Sequence, residues 1–325
     1  MDTRSTKRDP SIDILRFIAI TGIIMAHSKP GALLTQLRGF DVILMVFLSA
    51  VCVNGKKMAT VNLLDYFCKR GVRLILPVWI FLIFYYAGIY LVYYLPATKE
   101  IIASFVFLSD RYVWIIRILL LLALATPLLC RLSDSLSPNK IILSIGVIIL
   151  ICEVLFATYS GDLFDLIFMT VPYIMVYILG MNINKLRTTQ MAILATLSFC
   201  VFLILFCYYR IDHGFIVLTS EYKYPPRLYY TSYGLGCTLV MWNYRTKIES
   251  FFNLIHIKQF AQFVGSHTFW LYLWHIPMVD IVGNHLCAAI RFFLIFGGAL
   301  ICVAFQDFIV KQFVRKPVLI SIFNG

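Results

Sequence analysis

Residues 11–29 read SIDILRFIAITGIIMAHSK, an apolar stretch long enough to cross a bilayer as a helix, yet carrying Arg16 near one end and His27 near the other. Eleven residues at 100° each make three turns plus about 20°, so the two side chains share a face, about 16 Å apart along the axis. An arginine within a span costs about 2.5–3.5 kcal/mol, and each Leu or Ile returns only about 0.3–0.6 kcal/mol. That face is expected to look into protein or a water-filled cavity rather than lipid. The stretch also mimics a secretory leader, with basic residues ahead of it and Ala26-His27-Ser28 in place of a cleavage site. Asp13 and Arg16 interrupt the apolar region that such a leader needs, so it reads as a retained first span.

The rest of the chain is of the same kind. Over 325 residues it is 61% hydrophobic and 14% charged, with a mean hydropathy of +0.86. Soluble domains are about 45–50% apolar and about 25% charged, so the composition specifies an all-α, polytopic integral membrane protein. The net charge of +12 would suit nucleic acid, but the basic residues sit in short clusters between apolar runs, which argues for membrane topology and against a nucleic-acid partner. The nine cysteines fall mostly in or beside apolar runs and form no CxxC, so they read as small apolar residues.

Ten apolar runs are predicted to be helices, near 11–29, 39–54, 74–95, 112–130, 140–158, 163–183, 190–209, 227–244, 263–283 and 288–311. No long hydrophilic stretch or internal repeat divides them, so residues 1–325 are read as a single domain. With the N-terminus cytoplasmic, the inner segments hold Arg4, Lys7, Arg8, Lys56, Lys57, Lys69, Arg70, Arg73, Arg131, Lys140, Lys185, Arg187, Arg245, Lys247, Lys258, Lys311, Arg315 and Lys316. The outer ones hold Lys29, Arg38, Lys99, Arg111, Arg210, Lys223, Arg227 and Arg291, while Arg16 and Arg117 lie inside spans. The inner excess places both termini in the cytoplasm.

That topology separates the polar residues into two levels. Arg16, Arg70 and Arg73 fall on the cytoplasmic side; His27, Asp41, Arg117, Glu153 and the loop Lys223-Tyr-Pro-Pro226 fall toward the outside. Arg70 and Arg73, three apart, share a helix face. They fit ordinary inner-face anchoring, or a clamp whose guanidinium forks hold the phosphates of a cytosolic anion. His27 fits a satisfied core histidine, or a base that takes a proton from a hydroxyl. Asp41 suits a helix N-cap, or a partner fixing the tautomer of His27. Arg117 and Glu153 suit a buried ion pair joining the fourth and fifth spans, or the border of a polar chamber. Trp114 and Tyr112, with Tyr222, Tyr224, Tyr229 and Tyr230 around Pro225-Pro226, suit sugar stacking or interfacial aromatic belts. His275, in Trp270-Leu-Tyr-Leu-Trp-His-Ile-Pro277, suits substrate positioning or packing against the first helix, and Pro277 is expected to kink its helix. His213, His256, His267 and His285 fall in loops or at span ends. There is no HExxH, clustered metal set, Walker loop or GxSxG, so no metal is expected.

Four stretches together resemble the membrane-bound acyltransferase-3 family of integral-membrane O-acyltransferases. These are Arg16 and His27 in the opening helix, Phe40-Asp-Val-Ile-Leu-Met-Val-Phe-Leu-Ser49, Arg70-Gly-Val-Arg73 followed by Pro77 and Trp79, and Tyr272-Leu-Trp-His-Ile-Pro277. Each is short; their order and spacing over nearly the whole chain, and the ten-span count, carry the resemblance. Ala50 departs from it, standing where a Gly commonly follows Phe-Leu-Ser. The chain ends at Gly325, and no additional extracytoplasmic hydrolase-like domain of the kind some members carry is expected.

The resemblance implies an O-acetyltransferase of a bacterial plasma membrane, moving an acetyl group from cytosolic acetyl-CoA to a hydroxyl of an extracytoplasmic polysaccharide or its lipid-linked precursor. Acetyl-CoA would be a co-substrate and membrane lipids and the glycan its partners; homo-oligomers are left open. Arg16, Arg70 and Arg73 would hold the CoA phosphates, and His27 would act as general base or carry the acyl group, with Asp41 beside it. Trp114, Arg117, Glu153, Lys223, Tyr224 and His275 would hold the acceptor. Two rivals stand beside this reading: a glycan or lipid flippase without chemistry, and a structural or polymerase partner of a surface-glycan assembly complex. Paired broken helices, which would favour the flippase, are not found.

Overall fold

The computed structural model describes residues 9–53, 61–92, 98–109, 113–159, 161, 164, 168–313 and 323. Arg4, Lys7, Arg8, Lys56, Lys57, Arg111, Tyr112, Arg315 and Lys316 lie outside the described residues, and so do parts of the predicted spans near 74–95, 112–130 and 163–183. The described chain is helical throughout, with no strand beyond one isolated bridge between Lys223 and Pro226.

The first helix, α1 (Pro10–His27), begins where Asp9 accepts hydrogen bonds from the Ser11 backbone N–H (2.9 Å) and from Ser11 Oγ (2.7 Å), with Pro10 occupying the first turn. A carboxylate cap satisfies a free N–H and opposes the helix dipole, so the start is set locally. Ile14, Leu15, Ala19 and Ile24 of α1 are fully buried. After the short α2 (Ala32–Leu37), α3 (Asp41–Val51) is buried nearly as completely.

Around these follow α4 (Leu63–Val92), α5 (Thr98–Phe105), α6 (Trp114–Asp134), α7 (Pro138–Thr158), α8 (Thr170–Asn182) and α9 (Thr188–His213). The chain continues with α10 (Leu228–Asn243), α11 (Arg245–Leu254), α12 (Lys258–Ser266), α13 (Thr268–Val282) and α14 (Ala288–Phe313). Helix α1 packs against α3, α11, α12, α13 and α14, and α3 in turn carries α8 and α10. Two contacts are so close that only glycine fits them. A Cβ on Gly265 of α12 would lie 1.8 Å from the Asp13 carbonyl oxygen, and one on Gly180 of α8 would lie 2.6 Å from the Phe47 carbonyl oxygen.

Among the described residues, seven stretches are long and apolar enough to cross a membrane: α1, the α2–α3 pair, α4, α6, α7, α9 and α14. Half of the α1 window is buried in protein but only 17% of the α9 window. The outer helices instead expose Ile193, Leu197, Leu203 and Ile204 of α9, and Phe293, Ile301, Phe305 and Phe308 of α14. An apolar surface of this extent has no place in water, and the molecule is a multi-pass membrane protein. The expected runs at 163–183, 227–244 and 263–283 contain shorter helices of 13, 16 and 15 residues, namely α8, α10 and α13. The run near 263–283 is broken at His267, between α12 and α13. The one near 39–54 begins two residues late, because Arg38–Phe40 form a turn between α2 and α3. The third span starts earlier than expected, at Leu63, so Arg70 and Arg73 lie in its second and third turns.

Candidate functional site

The C-terminal end of α1, the first turns of α3 and α6, and the loop joining α9 to α10 surround a cavity of about 790 Å³. His27, the last residue of α1, is exposed on its wall. Asp41, Trp114, Arg117, Lys223 and Tyr224 share that wall, so six side chains expected to act together do meet in space.

His27 is held from behind. The ring of His275, fully buried in α13, lies 5.0 Å from the His27 ring, centroid to centroid, at 54°. The Nδ1 of His275 is engaged by the Tyr272 carbonyl oxygen of its own helix. From the start of α14, buried Arg291 donates to the His27 carbonyl (Nη2, 3.0 Å) and to the Ser28 carbonyl (Nη1, 3.4 Å). A guanidinium on the last carbonyls of a helix satisfies free acceptors and complements the dipole there. The backbone of His27 is thus fixed by a residue 264 positions away.

Asp41 has neither of its expected partners. It is the first helical residue of α3 rather than its cap, its Oδ1 accepting from the Val42 N–H (2.7 Å). Its Oδ2 accepts from Arg38 Nη1 (2.8 Å), and no hydrogen bond joins it to His27. The three-residue spacing across the turn brings the arginine fork to the carboxylate, and a charge-assisted bond outcompetes a neutral imidazole.

The Arg117–Glu153 pair is also corrected. Glu153 Oε1 accepts from Arg227 Nε (2.9 Å) and Nη2 (2.7 Å), and its Oε2 accepts from the Leu228 N–H (2.7 Å). The carboxylate therefore ties α7 to the start of α10, away from the cavity wall. Arg117 is buried in α6 and points to the carbonyls of Phe107 (3.4 Å) and Leu108 (3.5 Å). The two residues sit on adjacent spans, as expected, but a helix N-terminus needing an acceptor lies nearer to Glu153 than Arg117 does.

The loop of residues 214–227 is tied down on both flanks. Gln36 Oε1 of α2 accepts from the Thr219 N–H (3.0 Å), and the Arg227–Glu153 contact holds the other side. Between these anchors Lys223 Nζ lies 5.2 Å from the Trp114 ring centroid and 5.5 Å from that of Tyr224, whose rings meet edge to face at 4.9 Å. Cations over aromatic faces gain from the ring quadrupole. Burial pulls the Lys223 ammonium below its ordinary pKa, with the Asp41 carboxylate working against that and Arg38 adding to it.

The three arginines expected to hold the donor stand off the cavity wall. Arg16 Nη1 lies 3.4 Å from Asp13 Oδ1, and its Nη2 lies 3.4 Å from Cys52 Sγ just past α3. Arg70 lies over the Tyr66 ring, 5.6 Å from its centroid, and Arg73 is exposed two residues short of Ile75 on α4. Because α3 starts at the cavity and ends beside Arg16, Arg16 marks the opposite end of the bundle from His27.

Sequence reasoning missed Arg38, Arg291 and Tyr272. The spacing of Arg38 to Asp41 was a usable signal, since three residues place them side by side. Arg291 had none: it read as an outer-loop charge, and only folding brings α14 to the end of α1.

Fold and site together define a multi-pass helical membrane protein with a cavity in which an accessible imidazole faces cations and aromatic rings. A family model described as an acyltransferase domain (Acyl_transf_3) matches residues 9–306, from the cap of α1 to the middle of α14. The chain belongs to that family and is a membrane acyltransferase. No curated protein and no solved structure matches it.

Proposed function

We propose that the protein is an O-acetyltransferase of a bacterial plasma membrane, with both termini in the cytoplasm and the His27 cavity on the outer side. It would take acetyl from cytosolic acetyl-CoA and place it on a hydroxyl of a surface polysaccharide or of its lipid-linked precursor. The observation that carries this reading is the placement of His27 on the wall of the cavity, at the far end of a buried helix that carries Arg16 two turns from its start.

In this reading Arg16, Arg70 and Arg73 hold the phosphates of the donor at the inner end, and the acyl thioester reaches along α1, about 16 Å, toward the cavity. The acceptor lies between Trp114, Tyr224 and His27. His27 takes the hydroxyl proton as the oxygen attacks the thioester carbonyl; the carbon–sulfur bond breaks, and the CoA thiolate recovers the proton from the imidazolium. Arg291 and His275 keep the imidazole in place, which matters because misplacement by about 1 Å costs about 100-fold. Asp41 acts through Arg38 by fixing the turn beside the cavity, and Glu153 by fixing the loop that bears Lys223.

The test is acetyl transfer from labelled acetyl-CoA in vesicles holding only this protein and a lipid-linked glycan. Label in the glycan that depends on His27 supports the reading. Movement of glycan across the bilayer without consumption of acetyl-CoA would replace it with transport.

A further inference from the structure

Among the described residues, the wall facing His27 holds more cations than carboxylates. The described lining carries Arg38, Arg117 and Lys223 beside the carboxylate of Asp41, with Arg117 engaged by the Phe107 and Leu108 carbonyls. Asp41 is already occupied by Arg38 at 2.8 Å, which neutralises that pair. Behind His27, Arg291 adds a further buried positive charge. Arg38 is not exhausted by this contact: its Nε is buried and has no hydrogen-bond partner among the described residues. Lys223 makes no described salt bridge and is held over the Trp114 and Tyr224 rings. A neutral hexose needs hydrogen-bond partners of both kinds and gains little from surplus charge, whereas a carboxylate or phosphate matches it.

We propose that the cavity is a site for an anionic sugar, one bearing a carboxylate or phosphate, and that Lys223 and Arg38 select it while the Trp114 and Tyr224 rings take the sugar face. This rests on the reading of the cavity as the acceptor site and names the acceptor's class. The hydroxyl to be acylated would then lie beside His27 with the anion turned toward Lys223, so that one charged group fixes which hydroxyl is presented.

The experiment measures binding of methyl glucuronide, glucose 6-phosphate and methyl glucoside to the full chain in nanodiscs, without acetyl-CoA. At least one anionic sugar is expected to bind about 10-fold or more tightly than the neutral glucoside, as charge-assisted hydrogen bonds require. The uronide and phosphate arms tell which anion it is. Lys223→Gln should remove most of that preference, and Lys223→Arg, which keeps the charge on the loop, should retain it. Equal binding of all three sugars, binding of none, or a preference that survives Lys223→Gln would overturn the proposal. A charge preference in a protein that transfers no acetyl group would overturn the proposed function and leave this inference standing. Acetylation of neutral and acidic acceptors with equal kcat/KM would do the reverse.

Discussion

The two ends of α1 solve different problems with similar residues. At the Arg16 end, Arg16 is met by Asp13 three residues earlier and Arg70 lies over the ring of Tyr66 four residues earlier. At the His27 end the side chains converge from α1, α3, α6, α13, α14 and the loop before α10, and their contacts cross up to 264 residues. Local pairs hold a charge ready on a surface and cost little to rearrange. Long-range convergence fixes a single geometry, which suits proton transfer.

That contrast can be broken by substitutions on either side. The largest effect is expected from His27→Ala, which should lower transfer about 10²–10⁴-fold, or about 3–5 kcal/mol of barrier. Donor binding and thermal unfolding should stay near wild type; unchanged transfer would remove the imidazole from the chemistry. Next is Arg291→Met, which leaves the His27 and Ser28 carbonyls without their donor in a buried place, at a cost of about 1.5–3 kcal/mol. Here kcat should fall while the KM for acetyl-CoA stays put, and a fall in donor affinity instead would argue that Arg291 does not act through His27. Gly265→Ala should cost about 1–3 kcal/mol of stability by forcing α12 off α1. Its unfolding temperature in detergent should drop, and an unchanged value would mean the helices separate freely.

Smaller effects sharpen the comparison. Glu153→Gln keeps the shape but removes the charge facing Arg227, and should raise the acceptor KM several-fold without touching the donor KM, since the loop bearing Lys223 loses an anchor. Arg70→Ala should act the other way, raising the donor KM by about 10-fold at most, because a locally held surface arginine contributes about 1 kcal/mol. An acceptor effect from Arg70→Ala would show that the two ends are not separate.

How much of this was legible depends on distance along the chain. The membrane class, the buried first helix and the helix-face pairs follow from composition and from periods of three and four residues. The family motifs sit where expected, on α1, α3, α4 and α13. The partner of Asp41 was misjudged although it lay three residues away, because the break between α2 and α3 is a turn and the apolar run hid it. Glu153 was paired with the wrong arginine because Arg117 and Arg227 read alike in sequence, and the choice fell to the start of α10, whose free N–H needed an acceptor.

By itself the sequence determined that the chain crosses a membrane as helices, that its first span must bury a polar face, and that Arg16 and His27 stand at opposite ends of that span. These are matters of desolvation cost and of helical period, which operate within about twenty residues. Only the tertiary structure decided that Arg291 and His275 stand behind His27, that Arg227 takes Glu153, and that Arg38, Arg117 and Lys223 line the same cavity. Such contacts join residues tens to hundreds of positions apart, and they arise when close helix packing, at Gly265 and Gly180, brings charges together that need not be near in the chain.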